Sequence, residues 1–146
     1  ASDPKVVAMM EQVRERLWVK THIGGLARYE NDYYHRIEHS NLGDVPGNPW
    51  VICTLWVAQW LIEKAESLPE LEQALPYLHW TADRAFPSGV LAEQFDPYTG
   101  APISVSPLTW SHATVMIVTM KYLLKHAQIT GRPSGSLAER VFTKSR

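Results

Sequence analysis

The chain has 146 residues, enough for one domain whose core buries roughly 70% of the unfolded surface, and its 14 basic and 15 acidic side chains nearly cancel to a formal net charge of −1. That balance gives no electrostatic ground for expecting nucleic acid or an anionic membrane as a partner. A single cysteine, Cys53, excludes an internal disulfide and with it any dependence on an oxidising compartment.

At the N-terminus, Ala1-Ser2-Asp3-Pro4-Lys5 shows no basic stretch leading into an apolar one, so no signal peptide is legible and the cytoplasm is slightly favoured. The first predicted helix runs from Pro4 to about Trp18. Val6, Met9, Met10, Val13 and Leu17 recur at helical spacing, Asp3 is suited to cap, and Pro4 suits the first helical position. Lys5, Glu11, Arg14 and Glu15 occupy the opposite face, which makes this a surface helix. A second helix is expected from Trp50 to about Glu66. It is apolar nearly all round, through Val51, Ile52, Leu55, Trp56, Val57, Trp60, Leu61 and Ile62, and should be buried on most sides.

Ser67 and Pro69 restart the chain, and Leu71, Leu75, Leu78, Ala82 and Ala85 form one stripe. Pro76 has no N–H to donate, so this third segment should kink or split near Leu75. The fourth, Ser111 to about His126, is again apolar on most sides, and Gly131 with Pro133 stops it. Residues 1–130 are thus expected to form one helical unit, with 131–146 a tail. No stretch is long and apolar enough to span a bilayer.

Surface and buried helices alternate in this reading: outer, inner, outer, inner. A two-layered ring of helical hairpins has that pattern, whereas a simple bundle would show four similar amphipathic stripes. Two helices apolar all round are more than two outer helices can cover, so neighbours are expected beyond these four, and exposed apolar faces would favour self-association. Two long loops, Thr21 to Pro49 and Phe86 to Trp110, each lead into an inner helix. Loops beyond about 15 residues without structure of their own tend to be functional, and these two should meet at one rim.

In the second loop Glu93 and Asp96 lie among turn residues and aromatics, near Trp110-Ser111-His112. Carboxylates beside Trp or Tyr suit sugar chemistry, where rings stack on the pyranose and acids move protons. A solvated Glu93 and an Asp96-Pro97 pair that merely opens a turn would read the same way. In the first loop Arg28, Tyr29 and Asp32 supply donors, acceptors and a ring face suited to hydroxyl-rich ligands; a plain Arg28–Asp32 surface ion pair is the competing reading.

Two strings carry a family resemblance. Gly24-Gly25-x-x-Arg28-Tyr29, followed by Gly47-Asn48-Pro49-Trp50 opening a helix, resembles the substrate-binding loop of glycoside hydrolase family 15, the glucoamylases and their relatives. Leu91-x-Glu93-Gln94-x-Asp96-x-x-x-Gly100, then Leu108-Thr109-Trp110-Ser111-His112-Ala113, is similar to that family's catalytic-base segment. The resemblance covers about residues 21 to 125. It implies an all-α fold, part of a toroid of six helical hairpins, and an inverting hydrolysis of α-glucosides that releases glucose. It also implies that Glu93 is the catalytic base, that Arg28 binds sugar hydroxyls, and that Trp110 stands beside the glucose pocket. Tyr29, Asp32 and Trp50 fall in matching loop positions, while the spacing leaves Tyr33 and Tyr34 interchangeable.

Inversion also needs a second, protonated carboxyl group about 6.5–9.5 Å from the base. The family supplies it from a loop well upstream of the Arg-Tyr string, and only some twenty residues precede Thr21. The chain is therefore expected to be the C-terminal part of such an enzyme, inactive alone. Its expected partners are an oligosaccharide or α-glucoside and the remaining N-terminal part of the domain, with no metal or other cofactor. Which α-glucoside (starch-type glucan, dextran or trehalose) is open.

Two alternatives stand beside this one. A non-catalytic carbohydrate-binding or regulatory module of the same fold would have no use for Glu93. A zinc peptidase would read His35-Arg36-Ile37-Glu38-His39 as H-x-x-E-H, but that chemistry needs both histidines on one helical face and a further ligand, and the string lies in a loop. Ser111 and His112, adjacent on a helix, point about 100° apart and do not form a nucleophile–base pair.

Overall fold

The computed structural model describes residues 1–37, 41 and 43–132, and its helices begin and end where local chemistry permits. Helix α1 spans Pro4–Leu17. Asp3 caps it by accepting the Lys5 N–H on Oδ1 at 2.8 Å, Pro4 opens its first turn, and Arg14 and Arg16 sit in its last turn against the negative end of the dipole. None of its residues is fully buried; Val6, Met10, Val13 and Leu17 lean on the core from outside, as expected of an outer helix.

Helix α2, Val51–Lys64, buries ten of its fourteen residues, which makes it the axis of the core. Leu71, Tyr77, Trp80 and Val118 from the surrounding helices close around it. The third segment splits as its proline requires. α3 covers Leu68–Glu72 and α4 covers Leu75–Ala82, so Pro76 falls in a first turn where its missing N–H leaves no intrahelical bond unmade.

The last helix, α5, runs Thr109–Thr130, longer at both ends than the periodicity suggests, and Gly131 ends it in the left-handed region at φ 64. One side packs on α2, and Lys121 donates to Glu63 across that seam. The other side stays open, with Met116 65%, Ile117 51%, Met120 59% and Leu124 59% exposed. Among the described residues this face has no cover, an exposed apolar face of the kind the sequence leads one to expect.

The long loops are not structureless, which corrects the sequence reading. Four two-residue strands pair antiparallel in the order β1 (Leu26–Ala27), β2 (Pro49–Trp50), β3 (Gln94–Phe95) and β4 (Pro102–Ile103). Leu26 faces Trp50, Trp50 faces Gln94, and Gln94 faces Ile103. Strands this short carry no alternation that periodicity can detect, and their pairing joins residues far apart in the chain. Glycine makes the first of them possible. Gly25 has φ +90, and a Cβ there would lie 2.4 Å from Trp80 Cζ2 and 2.7 Å from Pro49 Cβ, so α4 and β2 both close directly onto its backbone.

Among the described residues no helix is long and apolar enough to cross a membrane. Residues 133–146, most of the expected tail, lie outside the described residues.

Candidate functional site

The small sheet brings both loops to the N-termini of α2 and α5. Immediately after β1, Arg28 turns its guanidinium into a ring of aromatics. The carbon of that group lies 4.8 Å from the Tyr29 ring centre, 5.3 Å from Tyr34 and 4.6 Å from Trp50. Its Nε and Nη2 donate to Asp32 Oδ2 and Oδ1, both at 2.9 Å, and Nη2 also reaches the Tyr29 hydroxyl at 3.2 Å. Asp32 is 1% exposed and also accepts the Tyr34 N–H at 3.0 Å. Gly47 admits this close packing, since a Cβ there would stand 2.9 Å from Asp32 Cβ.

The Arg28–Asp32 contact is thus a bidentate pair with a buried carboxylate rather than a simple surface ion pair. Burial pushes the Asp32 carboxyl up. The hydrogen bonds and charge of Arg28, with the Tyr34 N–H, outweigh it and hold the group below its ordinary value. The same pairing raises the Arg28 pKa against its partial burial. With Nε and Nη2 committed, Nη1 is the part of the fork that takes no partner among the described residues. Beneath the pair, burial pushes the Cys53 thiol up to about 12, with Asp32 adding to the rise and Arg28 opposing it.

Glu93 stands where β3 meets the first turn of α2. Its carbonyl accepts the Val51 N–H at 3.3 Å, and its own N–H donates to the Val105 carbonyl at 3.0 Å. Its carboxylate is half-buried, and Oε2 accepts Gln94 Nε2 at 3.3 Å. Gln94 is fully buried, and its Oε1 accepts Asn48 Nδ2 at 2.8 Å. Asn48 Nδ2 also donates to the His35 carbonyl at 2.9 Å.

Trp110 opens α5 beside this segment. The Leu108 N–H donates to the Leu91 carbonyl at 3.1 Å, and Ser111 Oγ donates to the Ala92 carbonyl at 2.9 Å. Trp110 is 54% exposed and meets Trp56 edge to face at 5.9 Å.

Arg28, Tyr29, Asp32 and Trp50 therefore form one cluster; Glu93 immediately precedes the strand paired with Trp50, and Trp110 opens the helix that is bonded to the segment before Glu93. Of the two interchangeable tyrosines, Tyr34 joins the cluster, its ring 6.1 Å from Trp50, while Tyr33 is 71% exposed with its ring beside Arg36. Asp96 does turn work: Oδ1 accepts the N–H groups of Tyr98 at 2.7 Å and Thr99 at 3.0 Å. His112 Nε2 accepts the Leu91 N–H at 3.0 Å, so the ring ties the start of α5 to the second loop. In the zinc-like string, Glu38 and His39 lie outside the described residues, and His35 sits in a turn with φ 53. The described residues contain no group of three His, Cys, Asp or Glu able to hold a metal ion. A groove of about 730 Å³ between α1 and α3–α4, lined by Glu11, Arg14, Trp18 and Tyr77, contains none of the cluster. Volume does not single out the cluster; the convergence of charged, amide and aromatic groups makes it the candidate.

Residues 1–120 match the model of glycosyl hydrolases family 15. The chain belongs to this family. A crystal structure of a bacterial glucoamylase complexed with acarbose superposes with a TM-score of 0.67 and 26% identity, over 85% of this chain and 18% of that one. An uncharacterized glycosyl hydrolase of Methanocaldococcus jannaschii is 27% identical over 124 residues, which cover 79% of this chain and 18% of the relative. The chain thus spans about a fifth of the length of the proteins it matches. Its fold is a segment of the family's α/α toroid, and the minor sheet stitches the loops at one end of it.

Sequence reasoning did not single out three residues that this arrangement brings in: Tyr34, Asn48 and Gln94. Tyr34 was one of two equivalent choices. The two amides lie inside the quoted strings, but nothing in a sequence says that amides 46 positions apart meet.

Proposed function

We propose that this chain is the C-terminal part of an inverting glycoside hydrolase that removes glucose from α-linked glucosides. Glu93 is the base that deprotonates the attacking water, and the general acid comes from the part of the domain that this chain does not span. The observation that carries the reading is the cluster beside Glu93 within a family 15 match. A guanidinium locked by Asp32 and walled by Tyr29, Tyr34 and Trp50 keeps Nη1 for sugar hydroxyls. Trp110 supplies a further ring face at the start of α5. On this reading Arg28, Tyr29, Asp32, Trp50 and Trp110 bind, and Glu93 moves the proton.

The test has a binding arm and a turnover arm. Acarbose, the ligand of the glucoamylase relative, is titrated against tryptophan fluorescence. Glu93→Gln should bind as the parent does, whereas Arg28→Ala should lose binding. Turnover is read as glucose released from maltotriose and trehalose, observed by NMR. The chain alone should release none. Combined with the rest of the domain, it should release the β-anomer, and Glu93→Gln should lower that rate roughly 10²–10⁴-fold or more. Undiminished release in Glu93→Gln would overturn the base assignment. β-Glucose from the chain alone would mean that its own residues, or those of a second copy, complete the site.

A further inference from the structure

Two buried amides tie the first loop to the carboxylate on the second, and neither has a role in the scheme above. Asn48 is 2% exposed and Gln94 is fully buried. A peptide carbonyl only accepts, so the His35 oxygen, 2.9 Å away, requires that the end of the Asn48 amide facing it be Nδ2. The second hydrogen on Nδ2 points at the Gln94 side chain 2.8 Å away and requires an acceptor there, which is Oε1. Gln94 Nε2 is thereby turned toward Glu93 Oε2 at 3.3 Å. Each step leaves the next group one orientation, and the series starts from main chain.

The arrangement has a cost that identifies its priority. Asn48 Oδ1 is buried without a hydrogen-bond partner among the described residues. An acceptor buried in this way is unfavourable. Turning the amide over would not relieve it, because Oδ1 would then face the His35 carbonyl, acceptor against acceptor.

We propose that Asn48 is a positioning residue: anchored on the His35 carbonyl, it fixes the Gln94 amide so that its N–H, and not its oxygen, faces Glu93. This rests on the reading of Glu93 as the base. A base needs one oxygen free for its water, and with Gln94 on Oε2, Oε1 is the oxygen without a hydrogen bond among the described residues. An Oε1 of Gln94 turned toward Glu93 would instead repel the carboxylate and let it rotate.

The test is NMR of the isotopically labelled chain, which requires no turnover. In the parent, the Gln94 side-chain amide protons should show NOE contacts to the Glu93 γ-protons. A through-hydrogen-bond coupling should link Asn48 Nδ2 to the Gln94 side-chain carbonyl. Asn48→Leu, of similar size without donors, should lose the Gln94–Glu93 contact and the exchange protection of those amide protons, with the backbone spectrum retained. Asn48→Ala serves as the second variant, and the parent couplings decide the matter if neither variant folds. Amide protons of Gln94 that point at residue 48, absence of the coupling, or an unchanged Gln94–Glu93 contact in the variants would each overturn the proposal. Any of these would leave the base assignment standing. Retained turnover in Glu93→Gln, conversely, would remove the base and leave the spectra as they are.

Discussion

Asp32 is the most demanding single residue in the chain: a carboxylate almost out of solvent, kept ionised by Arg28 and one backbone N–H. Its folded pKa is depressed, so on acidification the unfolded chain takes up the proton first. The stability it contributes is therefore present above the unfolded carboxyl value, about 4, and is lost as pH falls through the lower folded value. Asp32→Asn should cost about 1–2 kcal/mol at pH 7, a figure held down because Arg28 is itself partly in solvent. Urea unfolding at pH 7 and at pH 3 checks this. The parent and variant should converge in acid, and a constant gap would show that packing rather than charge is at stake. At this scale the sequence offers Arg28 and Glu93 as candidates through strings that carry meaning of their own, and the structure places Arg28 among Tyr29, Tyr34 and Trp50. It was silent on Asp32's burial, which Gly47 and the turn to Tyr34 create together.

Elements were legible in proportion to their length. α1 announces itself by periodicity and its Asp3 cap, α2 and α5 by long apolar runs, with Gly131 ending α5, and Pro76 marks the break between α3 and α4. The β1–β4 sheet was invisible because its strands span two residues each and owe their existence to partners across the loops. Gly25 is where that sheet depends most on a helix. Gly25→Ala would set a methyl group against Trp80 and Pro49 at a backbone angle that alanine resists. Trp80 also donates its Nε1 to the Ile23 carbonyl at 2.8 Å, and Arg84 donates to the same oxygen, so displacing the indole would loosen the entry into β1 as well. Gly25→Ala should destabilise the chain by about 2 kcal/mol or more. Thermal unfolding followed by circular dichroism reads it, and a melting temperature equal to the parent's would show that the clash is absorbed elsewhere.

At the scale of the whole molecule the open side of α5 dominates. Met116, Ile117, Met120 and Leu124 form an apolar stripe that nothing in this chain covers among the described residues, and Trp110 continues it toward the site. In solution the chain alone should associate with itself through this stripe. Sedimentation velocity should show a concentration-dependent rise in mass, abolished by Met116→Lys with Met120→Lys. A monomer at all concentrations would mean the stripe tolerates water. The sequence foretold the shortage of cover from two helices apolar all round, but not which face would stand bare; that depends on how α2 and α5 pack together. The sheet has the opposite character, because all four strands come from this chain and bind one another, so the segments next to Arg28, Trp50 and Glu93 are joined without outside help. On the proposed function, a partial site of that kind is preassembled. Union with a complementary piece would be rigid docking rather than coupled folding, with a heat-capacity change set by the apolar contact alone. On the proposed function the chain would serve as one piece of a split enzyme, whose regained turnover reports that two fused partners have met.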